Sequence, residues 1–291
     1  MQFIKNQLLK GSNDRNMLFD NFFEDNNIKK PVVIYIHGFN GFKDWGNFDL
    51  TASQIATAGF VFIKMNLSHN GTTTELPEDF ADLEAYGNNN YTKELFDVEQ
   101  IINWICNEFN PFAHEIDSNK ISVIGHSRGG GIAILKAGED ARIKNLITWA
   151  SVDECKTPWN HWPYEKMMEW QETGVQYIPN KRTNQLMPLY FQLYENYRDH
   201  QERLDIEKAM KNMTIPVLIC HGTNDEAVLF YAAENLKTWM PNAQLFTVES
   251  DHVFGRKHPW LEPNLPEAMQ AVVHETISFL KQHNRYIITQ F

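Results

Sequence analysis

The chain has 291 residues, 43% of them hydrophobic and 13% aromatic, enough to bury the core of one large α/β domain or two smaller ones. Lys and Arg number 26 against 37 Asp and Glu, and the formal charge of −11 argues against a nucleic-acid or anionic-membrane partner, which needs a basic surface. No apolar run approaches the roughly 18–20 residues of a membrane span.

In chain order, residues 7–23 alternate loosely and suggest an antiparallel hairpin at a sheet edge. Val32-Val33-Ile34-Tyr35-Ile36 is nearly all apolar, as a strand covered on both faces should be. Further strands are expected at residues 60–65, 121–124, 146–149, 217–220 and 245–248. Helical spacing runs through Val98, Ile101, Ile102, Ile105 and Phe109, and again over residues 132–137, 227–240 and 266–281. Short β-branched runs alternating with helices predict an α/β fold, a mostly parallel sheet with helices on both faces.

Residues 152–213 break that rhythm. No strand pattern shows there, and aromatics crowd together, among them Trp159, Trp162, Trp170, Tyr190 and Tyr194. The interruption is too long for an ordinary loop and reads as a helical lid insertion, leaving 1–151 and 214–291 as the core. Its aromatics either fill a core of their own or wall a substrate pocket, for which Trp159 and Trp162 are the candidates. Cys106 and Cys220 fall in apolar patterns and are expected to be buried. With Cys155 they form no CxxC or Cys/His metal spacing, which fits a reducing compartment. Residues 1–6 lack the apolar stretch of a signal peptide, so the expectation is a soluble, cytoplasmic protein.

The sharpest motif is Gly125-His126-Ser127-Arg128-Gly129, entered from an apolar strand and left through a helix. Such a turn holds a serine in strained backbone and presents its hydroxyl above the sheet at a helix amino end, with glycines where neighbouring chains come close. It has neither the Lys-Ser/Thr ending of a P-loop nor the spacing of a dinucleotide fingerprint. Ser127 is therefore the candidate nucleophile. A tetrahedral intermediate needs two N–H donors. The amide of Arg128 is one candidate, and the amide of Phe39, in the glycine-containing loop His37-Gly38-Phe39-Asn40-Gly41, is the other. His37 itself reads as structural.

A serine nucleophile needs a base, and the base an orienting acid. The turn His221-Gly222-Thr223-Asn224-Asp225 follows one strand, and Glu249-Ser250-Asp251-His252 follows the next. Asp225 and His252 are thus the candidate acid and base. His258 is the chief rival base, and Glu226 and Asp251 are rival acids; His126 is expected to point away from the attacking side, and His221 to be buried.

These motifs, with His221-Gly222-Thr223-Asn224-Asp225-Glu226 and Asp251-His252-Val253-Phe254, resemble the α/β-hydrolase superfamily, nearest its bacterial esterase, dienelactone-hydrolase-like and prolyl-oligopeptidase-like branches. The resemblance implies a serine hydrolase acting on a small-molecule ester through an acyl-enzyme, with neither metal nor organic cofactor. A thioesterase or small-peptide hydrolase on the same triad, or a non-catalytic binding protein on this scaffold, are the alternatives. One loop departs from the pattern. Where many relatives carry Asp-x-x-Gly-x-Gly, this chain has Asn66-Leu67-Ser68-His69-Asn70-Gly71, which makes His69 a candidate pocket residue.

Overall fold

The computed structural model describes residues 1–284; residues 285–291, the end of the expected core segment, lie outside it. The strands are β1 (Gln2–Lys10), β2 (Asn16–Phe23), β3 (Lys30–Ile36), β4 (Val61–Met65), β5 (Ile116–His126), β6 (Ile143–Trp149), β7 (Val175–Asn180), β8 (Gln185–Tyr190), β9 (Val217–Gly222) and β10 (Gln244–Val248). Eight of them form one sheet in the order β1-β2-β4-β3-β5-β6-β9-β10, and β7 and β8 pair separately. Within the large sheet β2 is antiparallel to both its neighbours, and every other pairing is parallel. This is the α/β-hydrolase fold that the motifs imply.

The helices are α1 (Phe48–Thr57), α2 (Leu83–Gly87), α3 (Tyr91–Cys106), α4 (Arg128–Glu139), α5 (Tyr164–Thr173), α6 (Gln192–Asp199), α7 (Ile206–Asn212), α8 (Tyr231–Trp239) and α9 (Glu267–His283). The two-residue period of a strand divides the core. Val32, Ile34 and Ile36 of β3 pack with α3, α4 and α8 on one face, while Val33 and Tyr35 pack with α1 and α9 on the other. Both faces of β3 are thereby dry, which is why its run is apolar without alternation. Among the described residues, no helix is long and apolar enough to cross a membrane.

Four expectations are corrected. The hairpin at the sheet edge begins at Gln2, well before residue 7. Helix α3 ends at Cys106, because Asn107 leaves helical geometry and its side chain accepts the Phe109 amide; Cys106 is consequently exposed and Phe109 is 83% exposed. Helix α8 starts at Tyr231, since the amides of Ala227 and Val228 are taken up in a turn by the Asp225 side chain. Residues 152–213 are not wholly helical, for β7 and β8 form an antiparallel hairpin there. Pro179 and Pro188 interrupt those two runs and mask the strand pattern.

Candidate active site

Ser127 stands between the end of β5 and the start of α4 with φ 56° and ψ −123°, a strained left-handed conformation. The turn is held by its own backbone: Ser127 N–H donates to the Trp149 carbonyl at 2.9 Å, and its carbonyl accepts the Gly130 amide at 2.9 Å. A Cβ on Gly125 would lie 2.1 Å from the Gly129 oxygen, and one on Gly129 would lie 2.3 Å from the His37 oxygen. Both glycines of the motif are therefore demanded by close backbone approach.

Strands β9 and β10 run parallel in register, Val248 opposite Gly222, so the loops after them leave from the same sheet edge. Those loops are joined by Thr223 N–H to the Val248 carbonyl and by Asn224 N–H to the Ser250 carbonyl, at 2.9 and 3.0 Å. This brings His252 Nδ1 to 2.8 Å from Asp225 Oδ2. Oδ1 of Asp225 accepts the amides of Ala227 and Val228, each at 2.9 Å. Burial alone would raise the Asp225 carboxyl, but hydrogen bonds from His221, His252 and the Val228 amide outweigh it and hold the group well below the usual carboxylate range. An ionised Asp225 requires His252 to carry its proton on Nδ1, which leaves Nε2 as an acceptor. Ser127 and His252 line the same two cavities. The Ser127 hydroxyl makes no hydrogen bond among the described residues, and such a contact commonly tightens only when substrate is bound.

The rivals have other duties. His258 Nδ1 accepts the Gly46 amide at 3.1 Å, and Asp251 Oδ1 accepts the amides of Val253 and Gly255. Glu226 lies on a cavity wall and, among the described residues, accepts no hydrogen bond from His252. His221 is buried, as expected, and donates from Nε2 to the Val228 carbonyl at 2.8 Å. His126 does not point away from the site: it lines one cavity, and its Nε2 donates to the His252 carbonyl at 2.9 Å. It thereby steadies the loop that carries the candidate base.

His37 Nδ1 donates to the Gly38 carbonyl at 2.9 Å, and its Nε2 accepts the Leu67 amide at 3.3 Å, tying the Phe39 loop to residues 66–71. Burial pushes the His37 imidazole from 6.5 to about 4, and burial likewise holds His126 well below its ordinary value. Between pH 6.5 and about 4 the unfolded chain binds the proton that folded His37 refuses, so stability falls as pH falls. The loss for His37 is roughly 3 kcal/mol at full titration. Urea unfolding at two pH values checks this: the midpoint is expected to be lower at pH 5.0 than at pH 7.5, and less so in His37→Gln. Equal midpoints in the wild type would refute neutral burial.

The amides of Phe39 and Arg128 donate no hydrogen bond to any described protein group. Gly38 brings the first of them close, for a Cβ there would lie 2.9 Å from the Ser127 Cβ. The Arg128 side chain turns away and is buried. Its Nε donates to Glu94 at 3.0 Å, its Nη1 to the Thr157 carbonyl at 3.1 Å, and its guanidinium covers the Tyr91 ring at 4.0 Å. It thus clamps the start of α4 to α3 and to the insertion. Nothing in the sequence pairs Glu94 with Arg128 before the fold is known.

Two cavities of about 450 Å³ each open on either side of Ser127 and share Phe39, Ser127 and His252 in their walls. The expected pocket residues line neither. Trp159 packs on Tyr91, Trp170, Tyr194 and Tyr197, with ring centroids 5.8 to 6.3 Å apart, and Trp162 packs on Trp170. These aromatics pack the insertion onto α3 and extend the core of the larger sheet. His69 is buried, its Nδ1 2.8 Å from the Ser68 hydroxyl. The insertion reaches the cavities instead through Asp153, Glu154, Lys156 to Pro158, Asn160 and His161, and through Asn180 and Arg182 of the β7–β8 hairpin.

Groups able to share a cation line neither cavity. Asp20, Asp44 and Asp49 converge, but the Lys43 and Lys64 ammonium groups already occupy the space between them. Asp25, His114 and Glu115 meet at the far edge, where Glu115 is paired with Lys30.

Residues 21–240 match the family model BD-FAE, about three quarters of the chain. The chain belongs to the BD-FAE family. The matched span contains Ser127 and Asp225, and the candidate base His252 lies just beyond it. No curated protein matches the sequence. Solved structures share the BD-FAE chain's fold from end to end. The esterase domain of a Rhodothermus marinus protein superposes with a TM-score of 0.64 at 14% identity, over 97% of this chain and 99% of that one. Est1E from Butyrivibrio proteoclasticus superposes with a TM-score of 0.67 at 16% identity, over 97% and 99%. A structure of Est1E with ferulic acid bound gives 0.66 at 18%, over 95% and 98%. At such identities the likeness is one of fold.

Proposed function

We propose that this protein is a serine hydrolase acting on small-molecule carboxylic esters. The observation that carries the reading is the 2.8 Å hydrogen bond from His252 Nδ1 to Asp225 Oδ2, with His252 and a strained Ser127 lining the same two cavities. Ser127 Oγ attacks the ester carbonyl while His252 Nε2 takes its proton, and the amides of Phe39 and Arg128 receive the oxyanion. The C–O bond then breaks, the alcohol leaves with the proton held by His252, and Ser127 remains acylated. Water, deprotonated by His252, attacks the acyl carbonyl; the acid departs and Ser127 recovers its proton. Asp225 stabilises the imidazolium in both halves. The esterase and ferulic-acid-bound neighbours support an ester as the substrate, and the Tyr35, Phe39, Phe42 and Trp45 walls suit an apolar or aromatic portion of it.

A fluorophosphonate probe is expected to label the wild type and to leave Ser127→Ala unlabelled. Equal labelling of the two would defeat the nucleophile assignment. Turnover of 4-nitrophenyl acetate by the wild type but not by Ser127→Ala separates a hydrolase from a binding protein on the same scaffold.

A further inference from the structure

The two cavities beside Ser127 differ in charge. The one past Glu226 and Leu229 is lined by three carboxylates, Asp153, Glu154 and Glu226, and one lysine, Lys156, which is paired with Glu154. The one past Tyr35 and Trp45 is lined by Arg182, Arg256 and Lys257 and by no carboxylate at all. None of those three cations forms an ion pair among the described residues, although the chain as a whole carries a formal charge of −11.

Arg256 is the most telling of them. It is only 4% exposed and lines the cavity. Its Nε donates to the Val253 carbonyl at 3.2 Å, the Tyr35 hydroxyl acts on the guanidinium electrostatically, and Nη1 is buried with no partner. The faces of Trp45 and Phe48 lie 5.5 and 5.1 Å from its Cζ. Aromatic faces and neutral acceptors recover only part of what a guanidinium loses on leaving water, and a buried charge is ordinarily matched by an opposite one. The fold supplies no such partner within ion-pair range. Arg182, at the β7–β8 turn, and Lys257 are exposed and add like charge at the rim.

We propose that Arg256, with Arg182 and Lys257 at the rim, forms a carboxylate-binding subsite beside Ser127, so that the preferred ester carries an anionic group: a half-ester of a dicarboxylic acid or an acyloxy acid. This inference rests on the ester-hydrolase reading above. The carboxylate meets the guanidinium with its charge complemented, and the chain between carboxylate and ester lies along the Phe39, Phe42 and Trp45 walls. An uncharged ester of the same length leaves Arg256 without a counter-ion and gains only the apolar contact.

Two matched pairs of esters test it, with acid release followed by titration. Monoethyl adipate and ethyl hexanoate differ only in a carboxylate at the end of the acyl chain. 4-Acetoxybutanoate and butyl acetate differ in the same way on the alcohol side. In one pair kcat/KM is expected to favour the anion at least tenfold, and Arg256→Met is expected to bring that preference below about threefold. Wild-type turnover of the neutral esters with no anionic preference in either pair would overturn the subsite and leave the hydrolase reading standing. A preference that survives Arg256→Met unchanged would overturn it as well. Absence of turnover of all four esters by an enzyme that turns over 4-nitrophenyl acetate would overturn the subsite alone, and absence of turnover of all five would defeat both readings. Should Arg256→Met fail to fold, the wild-type pairs still decide, and Arg182→Gln/Lys257→Gln, at exposed positions, is expected to shrink the preference.

Discussion

Asp225→Asn is expected to lower kcat/KM for 4-nitrophenyl acetate by roughly 10⁴-fold while the protein stays folded. The argument is one of donors and acceptors. Oδ1 of Asp225 accepts two backbone amides at 2.9 Å, so in the variant the amide oxygen takes that position. The Asn NH₂ group is then placed where Oδ2 stood, 2.8 Å from His252 Nδ1. Two donors cannot face each other. His252 moves its proton to Nε2 so that Nδ1 can accept, and Nε2 can no longer receive the proton of Ser127. The carboxylate that would stabilise the imidazolium is lost in the same change. Stability should change far less than activity, because both amide hydrogen bonds survive. Thermal unfolding beside the kinetics checks that separation; activity within tenfold of the wild type, in a folded variant, would mean that Asp225 does not orient the base.

That the sheet was readable before the fold was known follows from how it is buried. β3, β5, β6 and β9 are covered on both faces, so each shows as a short apolar run bounded by polar turns, and the Gly125-Ser127-Gly129 spacing reports a steric need that no other residues meet. The candidate acid and base were legible for the same reason, since each follows directly on a strand whose end is plain. The cavity walls were not. Trp159 and Trp162 are aromatic wherever they point, and composition cannot distinguish a side chain turned into the core from one turned towards Ser127. Arg256 is the converse case. In sequence it is one more cation in a loop, and its meaning arises only from its burial on the cavity wall with Nη1 unpartnered and no carboxylate in ion-pair contact. Helix limits slipped where a side chain replaced the helix's own hydrogen bonds, as Asp225 does ahead of α8 and Asn107 does after α3.

Lys64→Met is expected to destabilise the protein by roughly 3–5 kcal/mol, the cost of removing one partner from a buried ionic set. Lys64 is fully buried on β4, inside the larger sheet. Its ammonium group lies 3.2 Å from Asp20, 2.5 Å from Asp49 and closer still to Asp44, while Lys43 binds Asp20 at 2.8 Å and Asp44 at 2.5 Å. Burial would lower the lysine's pKa, but the carboxylates of Asp44, Asp20 and Asp49 more than reverse this and keep it charged. Methionine fits the space and supplies no charge, so Asp20, itself wholly buried, keeps Lys43 as its sole cation. A second substitution distinguishes charge from packing. In Lys64→Met/Asp44→Asn one negative charge leaves with the positive one, and part of the lost stability is expected to return in urea unfolding. A loss under about 1 kcal/mol in the single variant would show the cluster to be far less coupled than its geometry implies. The consequence extends to the site, because Lys43 and Asp44 lie between Phe42 and Trp45 on the cavity wall, in the loop that begins at the Phe39 amide. Loosening this cluster should therefore lower the temperature at which hydrolysis is lost before it alters kcat/KM in the cold.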